Sequence, residues 1–134
     1  MFWRFDELFK GNQYTIVRDC DSRLSNREFQ YVQEWINSTK LFSIIRDHPR
    51  HFDFPILAGM FGLKGTINPA LKEKITKYNN FTYLDDQFYL ANEVWPLVKQ
   101  DSYICGCDAS GVCEGRDPKN FIGQSYDENN NPIY

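Results

Sequence analysis

Residues 15–28 read TIVRDCDSRLSNRE, and this stretch decides the fold. A short run of β-branched residues is followed at once by two aspartates, Asp19 and Asp21, as expected where a strand ends in a loop. The stretch closes with Ser25 and Glu28, which have the spacing of a capping box at the start of a helix. It therefore predicts a strand, a loop that carries carboxylates, and a helix in succession.

Helix and strand signals alternate along the rest of the chain. The predicted elements, in chain order, are a strand at 14–17, a helix at 26–38, a strand at 41–45, a glycine-rich segment at 54–65, a helix opened by Asn68-Pro69, a helix that begins near Asp85 or Asp86 and is kinked or ended by Pro96, and a last strand in SYICGCD at 102–108. The glycines of 54–65 predict either a tight turn or a close approach of the backbone to another group. In the first helix, Phe29, Val32, Trp35 and Ile36 recur at helical spacing and are expected to face the core. The order of elements predicts an α/β fold with helices flanking a layered sheet.

Composition limits the class of protein. A chain of 134 residues with 42% hydrophobic content suits one domain, 1–134, with a core of moderate size. Its 15 basic and 18 acidic residues give a net charge of −3, which argues against a nucleic-acid partner. Aromatic residues make up 16% of the chain and suit a core, or the lining of a sugar or base pocket.

Location and redox state are also predicted from composition. No stretch approaches the ~20 apolar residues of a membrane span, and the first residues lack the layout of a signal peptide. We therefore expect a cytoplasmic protein, or one of the host cytoplasm if its asparagine-rich segments reflect a viral origin. The cysteines of a chain with its own core are expected to be reduced thiols; they are Cys20, Cys105, Cys107 and Cys113.

Polar groups follow two of the predicted strands. Asp19 and Asp21 come after the first, and Arg46, Asp47 and His48 come after the second. In open α/β sheets, ligands bind at the carboxyl ends of the strands. Hard divalent cations prefer carboxylate oxygens, and in nucleotide sites they take one or two of them plus substrate phosphates. On these residues alone, a solvated acidic turn and a cation site both stay open.

Three successive segments carry a more specific signal. They read RDCDSRLSNREFQYVQEWINS at 18–38, IIRDHPRHFDFPILAGMFGLKG at 44–65 and LDDQFYLANEVWPLVK at 84–99. Together they resemble the ordered motifs of a family of bacterial and viral sugar transferases with the GT-A nucleotide-diphospho-sugar transferase fold. The resemblance spans roughly Phe2 to Tyr134 and implies a partial GT-A-like, Rossmann-like sheet with flanking helices.

The resemblance implies a metal-dependent glycosyltransferase. Asp19 and Asp21 match the D-x-D motif of the family, whose carboxylates hold a Mn²⁺ or Mg²⁺ that bridges the diphosphate of a UDP- or GDP-linked sugar donor. Relatives tend to have a His-Asp pair where this chain has Cys107 and Asp108. A thiolate is a poor ligand for either cation, so either Asp108 takes its place as the third expected metal ligand or the metal site is incomplete.

The resemblance also implies donor-binding and catalytic residues. Arg18 and Arg23 flank the D-x-D motif and are expected to bind phosphate. Asp86 and Gln87 match a D-Q motif near the reacting sugar carbon, although Asp86 alone would also suit the dipole of a helix amino terminus. The segment expected to lie against the donor sugar is Ala58, Gly59 and Met60.

One departure and two alternatives accompany this hypothesis. Relatives carry a stretch before the segment that matches Phe2, which supplies the first nucleotide-binding β-α units, so a homo-oligomer or a companion chain is an expected partner. The alternative function is an inactive transferase remnant that acts as a binding or interaction module. A saccharide or protein acceptor is expected, but the residues do not identify it.

The cysteines and histidines leave one further alternative open. Cys105, Cys107 and Cys113, with His48 or His51, could form a structural zinc site, although the spacing is not that of paired zinc ligands. Histidines in such a segment are more often held by neighbouring acids.

Overall fold

The computed structural model describes residues 2–80, 82–114 and 116–133, so both ends of the predicted 1–134 domain lie outside the described residues. Its strands are β1 (Tyr14–Arg18), β2 (Phe42–Arg46), β3 (Met60–Lys64) and β4 (Ser102–Gly106). Its α-helices are α1 (Asn26–Asn37), α2 (Ala70–Lys74), α3 (Asp85–Tyr89) and α4 (Trp95–Val98). Further helical turns are a 3₁₀ helix at Phe2–Phe9, shorter 3₁₀ turns at Pro49–Phe52, Ile75–Lys77 and Lys99–Asp101, and a π-helical turn at Leu90–Val94.

The four strands form one mixed sheet in the order β1-β3-β2-β4. β3 is antiparallel to both β1 and β2, whereas β2 is parallel to β4. β1, β2 and β4 therefore run in the same direction, and their carboxyl ends lie at one edge of the sheet. The amino end of β3 meets them there, since Met60 pairs with Arg18. The prediction of an α/β fold with flanking helices is confirmed.

Helices cover both faces of the sheet. On one face, the side chains of alternate strand residues pack against the amino-terminal 3₁₀ helix and the helices after β3. This core contains Val17, Phe42, Ile44, Phe61 and Leu63 from the strands and Phe5, Leu8, Leu71, Tyr89, Leu90 and Val94 from the helices. On the other face, Trp35 of α1 is fully buried and Ile45, Met60 and Ile122 form a smaller cluster. Removing these side chains from water is the main stabilising contribution to the fold.

The glycine-rich segment 54–65 was predicted to form a tight turn or to allow a close approach of another part of the molecule. Its second half is the central strand β3, so the turn is wrong there and a close approach is what the structure has. The glycine at position 62 has a packing role within the strand. A Cβ there would lie 3.0 Å from the indole ring of Trp35, so a side chain at this position would push α1 away from the sheet by a few tenths of an ångström. Glycine in a sheet interior can indicate close approach of a neighbouring element as well as a turn.

Two details of the helices also differ from expectation. Ser25 caps α1 by accepting a hydrogen bond from the Glu28 amide, as predicted. However, the Phe29 side chain is 64% exposed and does not face the core. Its place in the buried stripe is taken by Glu28, because that carboxylate is paired with Arg18. Near the carboxyl end of the helical run, a π-helical turn at Leu90–Val94 precedes Pro96, and the helix continues to Val98, so Pro96 does not end it; the kink stays a prediction.

The prediction of reduced thiols is wrong for two of the four cysteines, because Cys107 and Cys113 form a disulfide. A tight turn, in which the Gly111 amide donates to the Asp108 carbonyl at 3.0 Å, brings their Cα atoms to 4.5 Å. Those two sulfurs are therefore not zinc thiolates. Disulfides are more typical of oxidising compartments, so the cytoplasmic location stays a prediction. Among the described residues, no helix is long and apolar enough to span a membrane.

Candidate functional site

A cleft of about 450 Å³ opens at the edge of the sheet where β1, β2 and β4 end. Its walls come from five separate parts of the chain: the first 3₁₀ helix, the loop after β1, the segment before β3, the start of α3 and the carboxyl-terminal segment. The lining residues are Arg4, Asp19, Cys20, Asp21, Ala58, Tyr83, Leu84, Asp86, Gln87 and Ser125. Three carboxylates thus share one cleft, although Asp86 lies far along the chain from the D-x-D motif.

Arg4 joins two of these carboxylates. Its guanidinium donates to Asp19 Oδ1 at 2.6 Å and to Asp86 Oδ2 at 2.5 Å. The two acids differ in exposure, since the Asp19 side chain is 50% exposed and that of Asp86 is 4% exposed. Asp86 is therefore a buried charge neutralised by Arg4, whereas Asp19 keeps half of its surface open to the cleft.

Gly59 determines where the Asp19 carboxylate can lie. A Cβ at position 59 would overlap the carboxylate group of Asp19, so any side chain there would force Asp19 to move. Gly59 itself is not among the residues that line the cleft. The resemblance implied that this glycine lies against the donor sugar, but in the structure it makes room for an aspartate.

Gln87 supports the wall of the cleft through the backbone of the neighbouring segment. With the amide oriented so that both of its ends are paired, Nε2 donates to the Ile56 carbonyl and Oε1 accepts from the Ala58 amide, each at 3.0 Å. Asp86 Oδ1 accepts from the Gln87 amide at 2.9 Å. The D-Q pair therefore connects α3 to the segment that precedes β3.

The start of α3 is fixed by its other aspartate. Asp85 Oδ2 accepts hydrogen bonds from the Asn80 and Thr82 amides at 2.9 and 3.0 Å, and its Oδ1 accepts one from the Thr82 hydroxyl. The hydrogen bond from the Thr82 hydroxyl lowers the pKa of Asp85. Asp85 thus holds the turn before α3, and the next residue, Asp86, projects into the cleft.

Two arginines predicted to bind the donor have other partners. Arg18 pairs with Glu28 and donates to the Val17 carbonyl at 2.9 Å. Arg23 donates to Asn130 Oδ1 at 2.8 Å and so holds the carboxyl-terminal turn. Arg23 also donates to the Asp21 carbonyl at 3.4 Å, but neither arginine lines the cleft.

Met60 is a core residue with 3% exposure. Its sulfur packs directly against Gly123, where a Cβ would clash with it. Of the segment expected to contact the donor sugar, only Ala58 lines the cleft.

Asp108, the third expected metal ligand, lies outside the cleft. Its Oδ1 accepts hydrogen bonds from the Ser110 amide and hydroxyl and from the Val112 amide, at 2.7–2.9 Å. The hydrogen bond from the Ser110 hydroxyl lowers the pKa of Asp108. This carboxylate therefore stabilises the turn that the disulfide closes.

Comparison of the chain with protein-family models, with curated proteins and with solved structures gives no match.

The carboxylates of the cleft suit a divalent cation only if phosphate completes its coordination. Within 2–80, 82–114 and 116–133, no group of three or more His, Cys, Asp or Glu side chains is placed to hold a metal ion. Mg²⁺ and Mn²⁺ in nucleotide sites need only one or two protein carboxylates, and the phosphates supply other ligands. Asp19 and Asp21 are both exposed and line the cleft with Asp86, so their carboxylate oxygens are accessible there.

The charged segment after β2 forms a different kind of site. Asp47 is fully buried and accepts hydrogen bonds from Arg27 at 2.5 Å, from Arg116, and from the Ile122 amide at 2.8 Å. These contacts fasten the carboxyl-terminal segment to the end of β2. The Asp47 amide in turn donates to His51 Nδ1 at 2.9 Å. Asp47 therefore has a structural role.

Arg4 is the residue of the site that the sequence did not indicate. It lies 15 residues before Asp19 and 82 before Asp86, in a short 3₁₀ helix that carries no recognisable motif. The only local signal is that Phe5 and Leu8 of this helix are buried, which brings Arg4 to the edge of the core.

Proposed function

We propose that the protein is a metal-dependent glycosyltransferase, or the corresponding part of one, with a GT-A-like arrangement of its sheet. The donor would be a sugar linked to UDP or GDP. The observation that supports this proposal is that residues from separate motifs lie together in the structure. Asp19 and Asp21, Ala58, and Asp86 with Gln87 come from the three segments that resemble sugar transferases, and all five line one cleft.

The position of the cleft also supports the proposal. Three strands with the same direction end at this edge, and ligands of α/β sheets bind outside the carboxyl ends of strands. A volume of about 450 Å³ is within the usual range for small-molecule sites. The fold thus brings the acids together where a nucleotide-linked ligand would be expected.

Each residue of the cleft has a distinct role in the proposed reaction. Asp19 and Asp21 would hold the cation, which would supply positive charge to offset that of the departing diphosphate. Asp86 presents a fixed carboxylate beside them, where it favours positive charge developing on the sugar carbon or orients an acceptor hydroxyl. Gln87 fixes the position of Asp86 relative to the segment that holds Ala58, through its hydrogen bonds to the Ile56 carbonyl and the Ala58 amide.

Arg4 balances the charge of the site before ligands bind. Its guanidinium lies between Asp19 and Asp86, so these two carboxylates do not repel each other. Asp19 would hold a divalent cation in place of, or beside, its contact with Arg4. Arg4 can then turn to the donor phosphates, for which a guanidinium has suitable geometry.

The proposal is tested by calorimetric titration of Mn²⁺ with and without UDP or GDP. We expect binding that requires the nucleotide and that weakens at least about tenfold when Asp19 and Asp21 are both changed to Asn, because the hard-oxygen ligands are then lost. Asp6→Asn is the matched control, since Asp6 is an exposed acid outside the cleft. Equal binding by the double variant and the control would contradict the proposed site.

The second candidate function is a binding module without transferase activity. The ion pairs of Arg4 with Asp19 and Asp86 favour this alternative, because they neutralise carboxylates that the transferase needs. Thermal unfolding distinguishes the two: Mn²⁺ with UDP or GDP raises the melting temperature of a transferase with a working donor site and leaves that of the module unchanged.

A further inference from the structure

A second pocket of about 520 Å³ adjoins the cleft. The two share one wall, formed by Tyr83, Leu84, Gln87 and Ser125. The far side of the second pocket is built by the R-D-H-P-R-H segment after β2, to which the proposed donor site gives no role. A ligand in this pocket would therefore lie next to one in the cleft, with the start of α3 between them.

Aromatic rings line the second pocket. The imidazole of His48 lies 4.4 Å from the ring of Phe121, centroid to centroid, and His51 packs against the same ring at 5.5 Å. On the shared wall, the side chain of Tyr83 is 85% exposed. An exposed aromatic ring combines an apolar face with a polar edge, which suits a sugar ring with its C–H face and its hydroxyl groups.

Both histidines offer a neutral hydrogen-bond donor. His51 Nδ1 accepts from the Asp47 amide at 2.9 Å, and His48 Nδ1 accepts from the Arg50 amide at 3.2 Å. An imidazole that accepts at Nδ1 and is neutral carries its proton on Nε2. Burial lowers the pKa of His51 to about 4 and, with the nearby charge of Arg50, lowers that of His48.

The charges of the pocket balance. Arg50 and Asp53 both line it and are both exposed, so one positive and one negative group face the same space. Asp47 lies beneath them and is already paired with two arginines. A pocket of this kind has no excess charge with which to attract an anionic or a cationic ligand, but it has donors and acceptors for hydroxyl groups.

We propose that this second pocket is the acceptor subsite and that it takes a neutral saccharide, with Tyr83 and the His48–Phe121 pair contacting the sugar ring. The choice of acceptor rests on the proposed transferase function. The saccharide class rests on the pocket itself. Gln87, which lines both spaces, places the acceptor beside Asp86.

The proposal is tested by saturation-transfer NMR on the full chain with three neutral disaccharides, lactose, maltose and cellobiose, and with a disaccharide that contains a uronic acid. We expect at least one neutral disaccharide to bind. Tyr83→Ala and His48→Ala should each weaken that binding about three- to tenfold, the range of one aromatic contact. Leu97→Ala is the control, because Leu97 is exposed and lines neither pocket.

Three results would overturn the proposal: no binding of any neutral disaccharide, binding that survives both substitutions, or equal binding of the uronic-acid disaccharide. Tyr83 is so exposed that its substitution leaves the fold intact, which keeps the test decisive if His48→Ala does not fold. Titration of Mn²⁺ and nucleotide into the same proteins tests the donor site separately. Saccharide binding without a nucleotide response contradicts the transferase and leaves a saccharide pocket, whereas the reverse result contradicts the pocket.

Discussion

Replacing Arg4 with Met should destabilise the protein by about 3 kcal/mol. Met keeps most of the aliphatic stem and removes the charge, so Asp86 is left as a buried carboxylate whose other hydrogen bond is from the Gln87 amide. Breaking a buried ion pair by removing one partner costs about 3–5 kcal/mol. The lower end applies here because the Arg4 side chain is itself 22% exposed.

The Arg4 contact with Asp19 adds little to this value. The Asp19 side chain is half exposed, and pairs of this kind contribute about 0–1 kcal/mol. Almost all of the expected loss therefore comes from the contact with Asp86. For a chain of this length, about 3 kcal/mol corresponds to a decrease in melting temperature of roughly 10 °C.

Urea unfolding of the wild type and of Arg4→Met measures the effect directly. Lys72→Met is the matched control, since it removes the cation of an exposed ion pair with Asp6 and should cost no more than about 1 kcal/mol. A loss for Arg4→Met below about 1 kcal/mol, or equal to that of the control, would refute the idea that Arg4 neutralises a buried charge.

Three further predictions concern single positions. Gly59→Ala should weaken Mn²⁺ binding in the presence of nucleotide at least about tenfold, as measured by calorimetry, because its Cβ displaces the Asp19 carboxylate; an unchanged affinity would exclude Asp19 as a ligand. Since the pKa of His51 falls from 6.5 to about 4 on folding, the unfolded chain binds more protons between these values, so stability is lost as the pH falls from 6.5 to 4. Urea unfolding should show a loss of about 3 kcal/mol over this range that His51→Gln lacks. In the native protein, Ellman's reagent should titrate Cys20, which is exposed, and spare Cys105, whose pKa burial raises to about 12; rapid reaction of two thiols would contradict this.

The fold was largely predictable from local patterns. β1, β2, β4 and α1 were found because each combines a run of β-branched or periodic residues with a polar end, and Ser25 marks the start of α1. β3 was missed because it contains a glycine at position 62, which is unusual within a strand. That glycine is explained by its contact with the Trp35 ring of α1. A contact of this kind between distant segments leaves no local pattern.

The site was only partly predictable, for a related reason. Asp19, Asp21, Ala58, Asp86 and Gln87 were found through motifs, and the structure brings them together. The arginines next to the motif are instead used by the fold, and the arginine that reaches the carboxylates comes from a segment without a motif. The choice between these partners depends on how the first 3₁₀ helix packs on the core, which no single stretch of sequence reveals.

Two aspartates at the same edge of the sheet differ in burial, and this difference indicates which one can bind a ligand. Asp47 and Asp19 each follow a strand, and each is paired with arginine. Asp47 is fully buried, and both of its oxygens are occupied by two arginines and a backbone amide, so it has no capacity left for a ligand. Asp19 is half exposed, has one arginine contact, and lies beside a glycine that keeps its position clear. Because a carboxylate can exchange a partner only where water and ligand reach it, Asp19 is the acid of this pair that is suited to bind a cation.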